Sequence, residues 1–134
     1  MQKCARFWIS AAGLSGALAV AAGAFGAHAL RNRLDAYHLG VFETGARYHL
    51  VHALALLACG LLLGAGWSRA KVSAIAFAVG TVIFSGSLYA LALTGVRGLG
   101  AITPLGGLAF MMGWLSLFWV VRGRVSLSPS EKAT

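Results

Sequence analysis

Four stretches of this chain run without an acidic or basic residue: 7–30, 48–68, 72–96 and 98–121. They hold 24, 21, 25 and 24 residues. A helix rising about 1.5 Å per residue needs roughly 20 to cross a hydrocarbon core about 30 Å thick. A transmembrane β-barrel would instead show segments of about ten residues alternating apolar and polar. The continuous runs therefore predict an all-α membrane four-helix bundle, a single membrane domain over 1–134, with spans at about 7–28, 48–67, 72–95 and 100–121.

One connection is long enough for structure of its own. Over 31–47, Leu30, Leu34, Tyr37, Val41 and Tyr48 fall on one helical stripe, with Asn32, Asp35, Glu43 and Arg47 opposite. This predicts an interfacial amphipathic helix between spans one and two. Glu43 and Arg47 are in the favourable i,i+4 order for an ion pair, and Gly40 and Gly45 are the expected bending points. The tail 126–134, with Pro129 and small polar residues, is expected to be flexible.

Composition agrees with a membrane class: 59% of residues are hydrophobic, 10% are charged, and the mean hydropathy is +0.80. The net charge of +8 does not signal nucleic acid, because the eleven bases are spread over five boundary segments and form no phosphate-binding cluster. They act as topology anchors. Lys3, Arg6, Arg69, Lys71, Arg122, Arg124 and Lys132 share one side, and Arg31, Arg33, Arg47 and Arg97 share the other, a count of 7 against 4. The positive-inside rule puts both termini in the cytoplasm. Trp8, Trp67, Trp114 and Trp119 are then expected near the cytoplasmic headgroups. Lys3 and Arg6 before an apolar stretch, with Ala27-His28-Ala29 after it, have the form of a signal peptide. The uncharged stretch exceeds the usual apolar region of about 7 to 15 residues, so an uncleaved span is expected. Cys4 and Cys59 lie at different depths and are not expected to pair.

Small residues recur every fourth position: Gly13, Ala17 and Ala21; Gly60 and Gly64; Ala76 and Gly80; Ala109 and Gly113. In lipid, helices associate through close backbone approach, so Gly13, Ala17, Gly60, Gly64, Gly80 and Gly113 are candidate packing positions. Intramembrane polar residues concentrate in the half of the membrane away from the termini. His28, His49, His52, Ser85, Ser87, Tyr89 and Thr103 form a candidate polar layer there. Histidines at one level invite a metal, haem or quinone reading. No carboxylate lies inside the spans to complete a hard-metal site, and hydrogen bonding between helices is the simpler use. No serine or cysteine has an identifiable base and orienting acid, so no catalytic residue, metal site or cofactor is assigned.

Four ordered motifs then resemble a known family. They are Gly23-Ala-Phe-Gly-Ala-His-Ala-Leu30, Thr44-Gly-Ala-Arg-Tyr-His-Leu-Val-His-Ala-Leu-Ala-Leu-Leu57, Ser85-Gly-Ser-Leu-Tyr-Ala-Leu-Ala-Leu-Thr-Gly95, and Ile102-Thr-Pro-Leu-Gly-Gly107 followed by Gly113-Trp114. Together they resemble the YgdD-like small inner-membrane proteins, a domain family of unknown function with a mitochondrial relative. The resemblance implies a four-span fold in a bacterial inner membrane and no established activity. It leaves His28 and His52 on the family pattern, whereas bacterial members often carry glutamine at the position of His49. Two function classes follow. One is a non-enzymatic packing or accessory subunit, partnered by lipid and by further copies or other chains of a membrane complex. The other is a small-molecule or cofactor binder, or a transporter, using the His/Tyr layer.

Overall fold

A computed structural model describes residues 2–125. The flexible tail expected over 126–134 lies outside the described residues. Within them the chain is helical and has no strand. Helix α1 (Gln2–Phe25) continues into a single π-helical turn, Gly26–Leu30. Helix α2 spans Ala36–Gly64, α3 Ala70–Thr94 and α4 Thr103–Val125, the last preceded by a 3-10 turn at Arg97–Ala101. All four helices are long and apolar enough to cross a membrane.

The segment 31–47 differs from expectation. It forms no separate interfacial helix: a turn closes with the Arg33 and Leu34 N–H groups bonded to the Leu30 carbonyl, and α2 begins immediately afterwards. The cause is Asp35. Its carboxylate accepts the His38 backbone N–H at 2.9 Å and lies 2.7 Å from His38 Nδ1, an N-cap that starts the helix twelve residues before the uncharged run. The same backbone bond, with the His38 ring behind it, holds the Asp35 carboxyl below the usual carboxylate range. Gly40 and Gly45 are not bends but lie within a continuous helix. Gly45 instead marks a close approach, since a Cβ there would sit 3.0 Å from the Tyr89 ring and 3.3 Å from Leu88. Glu43 and Arg47 are not within ion-pair distance; among the described residues the ion pair is Asp35–His38.

Glycine also ends helices. Gly95 takes φ 72° as its N–H bonds the Leu91 carbonyl, closing α3, and Gly66 at φ 92° turns the chain between α2 and α3. Pro104 occupies the first turn of α4, where its missing N–H leaves no helical bond unmade.

The helices pack consecutively and antiparallel: α1 on α2, α2 on α3, α3 on α4. The connections around 31–35 and 95–102 therefore share one end, here the loop end. Gln2, the 65–69 turn and Val125 share the other, the terminal end. Buried side chains cluster at three depths. Ala5, Leu63, Ala70 and Val120 meet at the terminal end, Ala12, Ala55, Leu56, Cys59, Ala74, Phe77 and Phe110 in the middle, and Leu30, Phe42 and Ala92 at the loop end.

Small residues make this packing close. A Cβ on Gly60 would meet Ile9 Cγ1 at 2.8 Å and the Ile9 backbone nitrogen at 3.1 Å, so α1 and α2 touch there almost backbone to backbone. Between α3 and α4 the contact is a ladder of rings and glycines. The Phe84 backbone and Cβ fill the space at Gly106, the Phe110 ring that at Gly80, and the Phe77 ring that at Gly113. A Cβ on Gly80 would lie 2.5 Å from Phe110, and one on Gly113 2.6 Å from Phe77. Gly64 makes an ordinary contact, 3.7 Å to Ala5 Cβ. Gly13 has nothing within 4 Å, and Ala17 and Ala21 are exposed beside it. That stripe of α1 faces away from the bundle, because the inward face is the heptad line Ala5, Ala12, Ala19 and Gly26.

Candidate functional site

The polar residues expected to share one layer do not form one network. Three separate links tie neighbouring helices. In the first, the His49 ring on α2 bridges α1 and α3, with Nε2 3.1 Å from Ser15 Oγ and Nδ1 3.2 Å from the Tyr89 hydroxyl. In the second, Ser87 Oγ of α3 lies 2.8 Å from Thr103 Oγ1 of α4, while also donating to the Phe84 carbonyl at 3.0 Å. The third joins α2 to α4: the Trp114 indole N–H donates to His52 Nε2 at 3.3 Å.

The protonation of His52 follows from these partners. Its Nδ1 lies 2.8 Å from the Tyr48 carbonyl, which can only accept, so Nδ1 carries the proton. The indole can only donate, so Nε2 supplies a lone pair. His52 is thus a neutral imidazole with both nitrogens engaged and no lone pair left for a metal. Its ring stacks on Phe110 with centroids 3.4 Å apart and planes at 8°. Among the described residues no three His, Cys, Asp or Glu side chains come together as a metal would need.

Other members of the expected layer stand apart. His28 is exposed on the π-helical turn and makes no hydrogen bond or ring contact with the other layer residues. Ser85 is buried with its hydroxyl unbonded, as is Ser73 nearer the terminal end. Two participants were not in the layer read from sequence. Ser15 had no signal beyond its depth on α1. Trp114 was assigned to the headgroups, but it sits halfway along α4, its ring 5.0 Å from Phe77 in an edge arrangement. An indole N–H that must find a partner in hydrocarbon is the physical reason it turns toward His52.

These links leave a space between them. Because α4 packs on α3 and α2 on α3, while α2 and α4 meet through the rings of Tyr48 and His52 against Phe110 and Trp114, a groove of about 860 Å³ runs between α2 and the loop-end half of α4. Arg47, Tyr48, Val51 and His52 form one wall, Phe84 the floor, and Pro104, Gly107, Leu108, Phe110, Met111 and Trp114 the other wall. Its lining is mostly apolar and holds a run of aromatic rings: Tyr48 lies 4.7 Å from Phe84, and Phe84 5.4 Å from Phe110, between ring centroids. Glycine at 107 keeps the wall open, since a Cβ there would only just reach Phe84, at 3.9 Å. The arrangement can hold an apolar or amphiphilic molecule; it brings no carboxylate to a hydroxyl or thiol.

The family described as "Protein of unknown function (DUF423)" matches residues 22–107, from the last turns of α1 to the first turn of α4. The chain belongs to this family. Among its relatives is a UPF0382 membrane protein of Staphylococcus saprophyticus, 47% identical over 104 residues that make up 78% of this chain and 87% of that one. The UPF0382 membrane protein YwdK of Bacillus subtilis is 43% identical, over 75% and 83% of the two chains. The UPF0382 inner membrane protein YgdD of Escherichia coli is 41% identical, over 81% and 84%. No solved structure matches. The matched family segment contains His49, His52, Ser87, Tyr89 and Thr103, as well as Phe84 and Gly106, but ends before Phe110, Gly113 and Trp114. This is a membrane protein of a family whose biochemical role is unknown.

Proposed function

We propose that this protein binds without catalysing, and that the groove between α2 and α4 receives an apolar molecule from the surrounding bilayer. The observation that carries the reading is the groove itself. At about 860 Å³ it falls within the range of ligand pockets, roughly 300–1,000 Å³, and its apolar and aromatic lining with a few polar groups is the usual composition of such sites. Polar groups near it favour binding over turnover, because both ring nitrogens of each histidine are engaged: those of His49 by α1 and α3, those of His52 by its own helix and by Trp114.

Filling the groove tests the reading. Gly107→Phe places a ring where the wall is now open, and the helix itself is kept. Native mass spectrometry of protein released from membranes by mild detergent should find a bound small molecule or lipid on the wild type and little on Gly107→Phe. Equal occupancy of the two, or none on either, would reject the groove as the site.

A second reading, an accessory subunit associating with another membrane chain, draws on the outward stripe Gly13, Ala17 and Ala21, where nothing lies within 4 Å of Gly13. The inner-membrane location of the Escherichia coli relative and the charge count of 7 against 4 support a bacterial inner membrane with cytoplasmic termini. Single cysteines at Asn32 and Ser68, in a chain lacking Cys4 and Cys59, should react with an impermeant thiol reagent only from opposite sides, Asn32 from the periplasm. Periplasmic labelling of Ser68 would reverse the orientation.

A further inference from the structure

We propose that the occupant of the groove is one acyl chain of an anionic phospholipid from the leaflet at the loop end, its phosphodiester held by Arg47 and Tyr48. The proposal rests on the groove being a binding site, and deepens it by naming the ligand.

Three observations converge. The first is length. From Pro104 at the shallow end to Trp114 at the deep end is ten residues of helix, about 15 Å, which is half of a hydrocarbon core about 30 Å thick. The groove spans one leaflet and stops where that leaflet's chains stop.

The second is graded polarity. Arg47 and Tyr48 lie at the shallow end with Pro104, while Phe110, Met111 and Trp114 line the deeper part. Of the polar groups, the deep one is spent, since the Trp114 N–H already donates to His52. Neither the Arg47 guanidinium nor the Tyr48 hydroxyl has a hydrogen-bond or ion-pair partner among the described residues. The unused donors are thus confined to the headgroup end, and an amphiphile with its acceptor at that end and its chain pointing inward matches the groove.

The third is charge. A cation at the edge of the hydrocarbon region is costly without a counter-ion, and Glu43, one turn nearer the loop end, does not come within 4 Å of Arg47. The guanidinium fork suits a phosphodiester, which it can meet with two parallel N–H donors. A neutral ring-bearing guest would leave that cation unpaired. A zwitterionic head brings its own ammonium to compete for the phosphate, so a net anionic head is favoured.

The test uses the whole protein in nanodiscs with two photoreactive lipids sharing one diazirine-tipped acyl chain, phosphatidylglycerol and phosphatidylcholine. Crosslinks are mapped by mass spectrometry to Val51, Leu108 and Met111, with exposed Leu14 and Leu18 on α1 as the background. In the wild type, phosphatidylglycerol should label the groove about tenfold more than phosphatidylcholine, equivalent to about 1.4 kcal/mol. Arg47→Gln should abolish that preference, Arg47→Lys should retain most of it, and Tyr48→Phe should reduce it. Arg47 is exposed, so these substitutions leave the fold intact. Groove labelling that exceeds background equally for both lipids and ignores Arg47→Gln overturns the headgroup assignment while sparing the binding site. Groove labelling no higher than at Leu14 and Leu18, as when another protein chain covers the groove, overturns both.

Discussion

Gly106→Ala is expected to lower the stability of the bundle by about 3 kcal/mol or more, the upper range for overpacking a well-filled site. The reason is what the added methyl meets. A Cβ on Gly106 runs into the backbone nitrogen of Phe84 and would lie 2.7 Å from its Cβ and 2.8 Å from its Cα. A ring can swing away, but helix backbone cannot, so α4 must separate from α3. Gly13→Ala is the control: its Cβ meets nothing within 4 Å, and Ala in place of Gly in a helix favours folding by up to ~1 kcal/mol. Denaturant titration in mild detergent should show the two substitutions moving in opposite directions. If Gly106→Ala and Gly13→Ala shift the midpoint alike, the close approach of α3 and α4 is not what stabilises the bundle.

His52→Leu should be the next most damaging change outside the glycine contacts. It leaves the Trp114 N–H without an acceptor, at a cost of about 1–3 kcal/mol, and removes the stacked contact with Phe110. Hydrogen bonds between membrane helices average only ~0.6 kcal/mol with a maximum of ~1.7, so the Trp114 link alone accounts for part of the loss. A double-mutant cycle with Trp114→Phe separates the parts, and a coupling of about 1 kcal/mol is expected. His38→Leu gives the comparison. It removes an exposed partner of Asp35 but keeps the backbone N–H that Asp35 caps, and its effect should be small. A coupling of zero between His52 and Trp114 would mean that the α2–α4 link does not hold those helices.

The four helices were legible because the uncharged runs match the thickness of a bilayer. The continuity of span two with the helix expected over 31–47 was hidden by the same criterion. Asp35, Glu43 and Arg47 break the uncharged run, yet the helix starts where Asp35 caps it and is held by contacts of Phe42, Gly45 and Ala46 that no hydropathy count contains. Position along each span suggested a common depth, but while Ser87, Tyr89 and Thr103 lie toward the loop end, His49 and His52 fall at the middle of α2, with the His52 ring beside Phe77 and Trp114. Their partners could not be read, because pairing depends on how each helix is rotated about its axis. Ser15 and Trp114 are the residues that rotation brings in, and His28 is the one it turns out. The small-residue repeats show the same division. Gly13 and Ala17 have the spacing of Gly60 and Gly64, but spacing gives the period of a face and not the direction it points.

The ladder between α3 and α4 also discriminates between partners. Along α3 the order is Phe77, Gly80, Phe84, and along α4 it is Gly106, Phe110, Gly113, so the Phe77 and Phe110 rings and the Phe84 backbone each meet a glycine only when these two helices pair antiparallel in this register. Two copies of α3 laid antiparallel on the same face would set ring against ring at both ends with an empty gap at Gly80. Two copies of α4 would collide at Phe110 and leave hollows on either side. A slip by one turn misaligns every step. The same three contacts that hold the hairpin together therefore make these faces poor at recognising themselves, and in a crowded bilayer α3 is steered to its own α4 in preference to a neighbour's α3.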